Sequence, residues 1–404
     1  MRGIRLRGAV GAASAITLLA CSDPQATRPI IATASRTLDP QSVTVVVMSG
    51  LDNPRGLAFG PEGALYVVEA GRGGTGPCIS LLGGTVCYGP TGAVSRLWQG
   101  VQERIATGMP SLAGPNGVAQ AGPVDISFLG RGNAFVTIGL QNDPTVRSQL
   151  GEVGAGFGRL VHLDASGGWR FETDVAAFEA ANNPDGRLKD DGTPFYDSNP
   201  YGLLALPGRH LVTDAGGNDL LRVDANGDIS LLALFHSRGT TPPRPSFAPP
   251  QFDQFTDAVP SSVAVGPDGA YYVSELTGVP FTDGRANIYR VTEAESPRLF
   301  LIGDACVSGF KAIIDIAFDS DGNLYVLQHS TGAVQQGGPG KLIRVTPDRT
   351  QADICAQYQG GIRTPVIEGL TRPTSIAVGP DGALYVTNKG VSVGVGEVLR
   401  VQTP

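Results

Sequence analysis

The sequence repeats one phrase. It stands most plainly as Gly379-Pro380-Asp381-Gly382-Ala383-Leu384-Tyr385-Val386, and recurs almost unchanged at 60–67 and 266–273. A looser copy occupies 319–326, and degenerate copies fill 128–136 and 206–212, which makes six. Each copy joins two apolar runs through a tight turn. Its Asp-Gly pair supplies a residue that accepts positive φ, so each copy reads as a β-hairpin. The aromatic of the second strand, or its equivalent, falls at Tyr66, Phe135, Leu211, Tyr272, Tyr325 and Tyr385, at spacings of 69, 76, 61, 53 and 60. From Cys21 onward the chain has 384 residues, or 64 per repeat. That is enough for a four-stranded sheet with loops, and six such sheets packed radially give an all-β, six-bladed β-propeller.

Third strands are expected at 92–98, 158–163, 219–223, 287–291, 341–345 and 397–401, and fourth strands at 102–107, 169–173, 229–234, 298–302 and 365–368. The sixth unit ends one strand short. A β-branched run at 42–48 can supply it, so the N-terminal strand should pair with the C-terminal blade and close the ring without a bare edge. A parallel solenoid is the alternative, and this end-to-end complementarity speaks against it. One helix is expected within 173–181, capped by Thr173 and packed through Phe178.

Gly (56) and Pro (30) exceed a fifth of the 404 residues, yet they fall between regular apolar runs, as turns in a β protein do. The net charge is -7 with no basic cluster, which argues against a nucleic-acid partner. Residues 1–20 stand apart: Arg2, Arg5 and Arg7 precede an uncharged apolar stretch of 13 residues, the pattern of a signal peptide and too short to span a bilayer. Its end, Leu18-Leu19-Ala20-Cys21, resembles the lipobox of bacterial lipoproteins. The resemblance implies cleavage before Cys21, lipid attachment to it, and, with Ser22 next, an outer-membrane lipoprotein facing the periplasm or cell surface. An ordinary signal peptide that happens to hold a cysteine is the alternative. Residues 21–41 then read as a tether and 42–404 as the propeller. Of the four remaining cysteines, Cys78 and Cys87 bracket a Gly-rich loop and are the preferred pair, which leaves Cys306 for Cys355; three pairings are formally open.

Long links after the second strands and before the first strands should emerge on one face, where a rigid scaffold carries binding residues. Polar residues at strand ends could ring the channel mouth there: Asn53, Glu69, Asp125, Asn199, Asp214, Glu275, Asp315, Gln328 and Asn388. Three or four of them could take a divalent cation such as calcium; solvated channel lining and strand-end capping is the plainer reading. Of the four histidines, His236 and His329 lie toward that face, and His329 is the candidate acid or base. Aromatic and arginine side chains in the loops, among them Tyr196, Tyr201, Phe252, Arg72, Arg147 and Arg285, suit an extracytoplasmic protein, glycan or small-molecule partner.

Four stretches carry a family resemblance: 49–59 (Ser-Gly-Leu-Asp-Asn-Pro-Arg-Gly-Leu-Ala-Phe), 92–96, 178–186 and 214–224. Together they resemble the ScyD/ScyE family, exported proteins similar to NHL-repeat six-bladed propellers, over about 42–401. The resemblance implies the fold and brings no established catalytic residues. Propeller lactonases hold calcium with Glu, Asn and Asp at the starts of inner strands. The matching slots here hold Arg55, Val124, Tyr201, Ser261, Ile314 and Thr374. The expected function is therefore a lipid-anchored binding or scaffold module, read as a monomer; the alternative is a divalent-metal-dependent hydrolase or lyase.

Overall fold

The side chains of the repeated phrase explain why it recurs. In the computed structural model its second glycine holds positive φ at Gly63 (84°), Gly269 (78°), Gly322 (77°) and Gly382 (74°). The first glycine is needed for a different reason. A Cβ on Gly60, Gly266 or Gly379 would come within 3 Å of the ring of Tyr66, Tyr272 or Tyr385 on the following strand. The acidic residue between them accepts from that tyrosine in two copies, Glu62 from Tyr66 and Asp381 from Tyr385. Arg400 on the third strand donates to Asp381 as well. Ala64, Ala270 and Ala383, with Val67, Val273 and Val386, are buried in the core.

The structure describes residues 42–403 apart from 82–83, 190, 236–256, 279–280, 282, 301 and 332–337. The signal peptide, Cys21, the tether, His236 and Phe252 lie outside the described residues. Six sheets follow one another along the chain. Blade 1 contains Pro54–Phe59, Leu65–Glu69, Gly84–Trp98 and Val101–Ala113. Blade 2 contains Pro123–Phe128, Asn133–Ile138, Arg159–Asp164 and Trp169–Asp174. Blade 3 contains Pro200–Leu206, Arg209–Asp214, Asp219–Asp224 and Ile229–Phe235. Blade 4 contains Pro260–Val265, Tyr271–Glu275, Ala286–Val291 and Val307–Phe310. Blade 5 contains Ile313–Phe318, Leu324–Gln328, Pro339–Thr346 and Ile362–Thr371. Blade 6 contains Ser375–Val378, Leu384–Asn388 and Gly396–Gln402, completed by the N-terminal strand Val43–Leu51, antiparallel to Gly396–Gln402. The inner strands touch their neighbours all the way round, so blades 2 and 5 stand opposite each other. The core is divided among the blade interfaces. Tyr66 and Val136 pack between blades 1 and 2, and Leu327 and Val386 between blades 5 and 6.

Three expectations need correction. The fourth strand of blade 4 is Val307–Phe310; of the run expected there, 298–302, the part that forms a strand, Arg298–Phe300, instead adds in parallel to the edge of blade 3. Phe300 explains the move, because it is buried against Phe235 and Tyr289 at the interface of those blades. Helix α1 (Val175–Asn182) is capped by Asp174, whose side chain accepts from Ala177 N, and it buries Val175, Ala176 and Glu179 rather than Phe178. A second helix, α2 (Ile354–Gln359), is present and is joined through Cys355 to Cys306. Cys78 pairs with Cys87, directly opposite it in a hairpin that prolongs the third strand of blade 1.

Candidate functional site

Neighbouring inner strands belong to different sheets, and side chains join them. Asp315 of blade 5 accepts from Ser262 Oγ of blade 4 and, on its other oxygen, from Ser375 Oγ (2.6 Å) and Ile376 N (2.8 Å) of blade 6. Across the axis, Asp125 of blade 2 accepts from Leu203 N of blade 3 at 2.8 Å and lies against Gly56 of blade 1, where a Cβ could not fit. Burial raises both carboxyls; for Asp125 the charge of Asp315 adds to the rise, and backbone N–H groups counter it.

Arg55 stands in the blade 1 slot of the same ring. Its guanidinium donates to the carbonyl of Gly390 and, at 3.2 Å, to that of Ala119. Burial holds its pKa below the usual value, and the nearby Tyr201 hydroxyl opposes that shift. Tyr201 is raised by burial and by Asp125 and Asp315, with Arg55 pulling the other way. Sequence reasoning counted Arg55 only as a slot lacking a calcium ligand, and Tyr201 as such a slot and as one of the loop-face aromatics. The signal was their position, next to Pro54 and Pro200, which open the inner strands of blades 1 and 3.

Of the nine residues expected to ring the mouth, the structure sets Asp125 and Asp315 across the channel from each other. The others bond to the strand ends and loops around them. Glu69 accepts from Arg104 Nη2 and Nε (2.6 and 2.9 Å), Ser95 Oγ and Asp52 N. Asp214 accepts from Ser198 Oγ and from the N–H groups of Asn199, Gly216 and Gly217. Asn388 accepts from Thr371 N, Gln328 donates to Lys311 O, and Glu275 accepts from Asn287 N. Asn53 donates to the carbonyls of Gly71 and Gly117, and the Asn199 backbone N–H donates to Asp214. Position at a strand end thus marks a cap joining the second strand to the segment before the first.

His329 does approach the mouth. Its Nδ1 bonds the Pro373 carbonyl at 2.9 Å, and burial, with the charges of Arg55 and Arg372, brings its pKa down to about 4. It is neutral at pH 7 and a weak base. A calcium ion at the mouth does not fit the residues present. Of the nine, only two carboxylates face the channel, each already hydrogen-bonded, and the Arg55 cation shares the space. Among the described residues no group of three or more His, Cys, Asp or Glu side chains is arranged to hold a metal ion. A cleft of about 300 Å³ lies away from the axis among the hairpin turns of blades 2 and 3. There His210 packs on Phe135 at 3.9 Å, and burial lowers its pKa to about 4, while Glu172, Arg209, Asp224 and Asn226 line the rest of the cleft.

A second polar group, unforeseen apart from Asp214, lies at the loop end of blade 3. Burial first, and neighbouring carboxylates second, push Glu179 up to about 8 and Asp197 up to about 7, and raise Asp219 well above the usual range. The phrases 178–186 and 214–224 held Glu179, Asp214 and Asp219, but nothing in them says that these residues meet.

No protein family matches the chain, and no curated protein matches it. Among solved structures it is similar to a Thermus thermophilus protein described as an oxidoreductase (glucose dehydrogenase), 18% identical over 89% of this chain and 99% of that one, with a TM-score of 0.51. It is also similar to regucalcin, a calcium-binding protein from Agrobacterium tumefaciens (13%, 90% and 96%, 0.44), and to virginiamycin B lyase from Staphylococcus aureus (11%, 90% and 99%, 0.42). At these identities only the first likeness carries weight, and what it shows is the fold: this chain is a six-bladed β-propeller.

Proposed function

We propose that the chain is an exported, lipid-anchored propeller of the ScyD/ScyE type that acts as a binding module, and that its channel mouth takes an anionic group of the ligand. Arg55 carries this reading. Among the described residues no carboxylate pairs with it, and its two bonds to backbone carbonyls leave further N–H donors of the planar fork. A carboxylate or phosphate on an extracytoplasmic glycan, peptide or small molecule suits that fork. The hydrolase or lyase alternative needs a cation at the mouth, which the residues there do not favour.

Calorimetric titration of the full chain in detergent with glucuronate, glucose 6-phosphate and inorganic phosphate, with glucose as the neutral control, tests the reading. At least one acidic probe is expected to bind, and Arg55→Gln to weaken it by about ten-fold or more, the loss of one charge-assisted pair. Equal binding by both proteins, or binding of glucose alone, would overturn it.

A further inference from the structure

The loop end of blade 3 gathers six carboxylates around one arginine. Helix α1 supplies Glu179, the segment after it Asp185 and Asp197, the strand ends Asp214 and Asp219, and the approach to blade 4 Asp257. Arg187 pairs with Asp257 at 3.0 Å. Asp185 accepts from Arg187 N and from Asn218 Nδ2. Asp214 is engaged on both oxygens, Oδ1 by the N–H groups of Asn199, Gly216 and Gly217 and Oδ2 by Ser198 Oγ.

Glu179 and Asp219 differ from these. They are 2% and 1% exposed, and no donor among the described residues reaches Glu179 Oε1 or Asp219 Oδ1. Asn183 Oδ1 and Asp197 Oδ1 nearby are also buried without a partner, so the group holds four orphan atoms and all four are acceptors. A buried acceptor without a donor costs roughly 1–3 kcal/mol, and more when charged. The two carboxylates also point at one place. A Cβ on Gly217 would stand 3.1 Å from Glu179 Oε2, 3.4 Å from Asp219 Oδ2 and 3.5 Å from Asp214 Cγ. Glycine leaves that space open.

We propose that a divalent cation of the calcium type binds over Gly217, with Glu179 and Asp219 as its two carboxylate ligands. The orphan oxygen of Asn183 and water complete the shell, while Asp197 and Asp214 add negative charge around it. The site therefore rests on two carboxylates, consistent with the lack of a ready group of three among the described residues. An all-oxygen set without His or Cys selects calcium over zinc. The ion would fasten helix α1, which follows blade 2, to the strand ends of blade 3. It lies off the axis and is independent of the anion reading for Arg55.

The test is metal content and thermal unfolding of the full chain in detergent, stripped with EGTA and re-equilibrated with calcium at about 1 mM, a concentration that fills weak extracellular sites. One calcium per chain is expected, with a rise in melting temperature of roughly 5 °C. Glu179→Gln and Asp219→Asn should each weaken retention by about ten-fold or more. If either fails to fold, Gly217→Ala, which puts a methyl group into the ion's place, reports the same loss. A wild-type chain that takes up no calcium and melts at the same temperature with and without it would overturn the site. So would calcium lost with Asp125→Asn and kept with Asp219→Asn, since that would place the ion in the channel.

Discussion

Gly379 and Gly382 sit three residues apart in one turn and are glycine for different reasons. Gly382 needs positive φ, whereas Gly379 lies beneath the ring of Tyr385, with Tyr385 Cε2 2.5 Å and Asp381 Oδ1 2.6 Å from the site of a Cβ. Gly379→Ala should therefore destabilise the protein by about 1–3 kcal/mol, as overpacking does. Denaturant unfolding measures it, and a change below about 0.5 kcal/mol would show that the tyrosine ring moves aside freely. His210 offers a pH test. Burial depresses its pKa to about 4, so its contribution is fully present above the unfolded pKa of about 6.5 and is lost as pH falls toward 4. His210→Phe keeps a ring against Phe135. Between pH 7 and 5 the wild type should lose on the order of 1 kcal/mol more than the variant; parallel losses would mean that His210 charges without penalty.

The hairpin of blade 1 that carries Cys78 and Cys87 is an element the repeat arithmetic passed over as a loop. Cys78–Leu81 pairs with the start of Gly84–Trp98, so the bridge joins two strands and lies at the tip of the sheet. Replacing both cysteines by serine removes a constraint worth about 2–3 kcal/mol in the chain-entropy estimate for a short loop. The effect should stay local: faster amide exchange at 85–89, with unchanged protection in Leu65–Glu69. Global unfolding of the double variant under native conditions would show that the sheet depends on its tip. The parallel strand Arg298–Phe300 shows the limit of strand reading. Its apolar pattern marks it as a strand, but the choice of blade was made by the cavity that Phe300 fills.

Closure of the ring belongs to the whole molecule. Residues 43–51 pair with the last strand, yet Val43, Val45 and Val46 face solvent, and Met48 and Leu51 are the side chains that enter the core. Burying the latter two contributes roughly 1.5–3 kcal/mol each, and the backbone ladder adds to that, against a net stability of about 5–15 kcal/mol. Removal of residues 1–50 should leave an aggregated or strongly destabilised protein, while removal of 1–38 should melt near wild type. Equal melting of the two would show that the N-terminal strand is dispensable. The proposed anchor is tested at the same scale. Cys21→Ser should release the protein from the membrane fraction, and an unmodified Cys21 in the mature wild-type chain, seen by mass spectrometry, would exclude lipidation.

The sequence by itself determined the hairpins, the count of six and the closing strand. Glycine at positive φ, alternating apolar residues and a missing strand are properties of short segments and of their sum. It did not determine the site. Whether Glu69 or Asp214 faces the channel or caps its own blade depends on which donors the adjoining loops bring, and that is settled only once the sheets are stacked. Arg55 and Tyr201 meet Asp125 and Asp315 because inner strands from different blades converge on one axis. Glu179 and Asp219, 40 positions apart, become neighbours only where helix α1 after blade 2 docks on the strand ends of blade 3. A residue's chemistry is local, but its partners are decided by packing, and packing is tertiary.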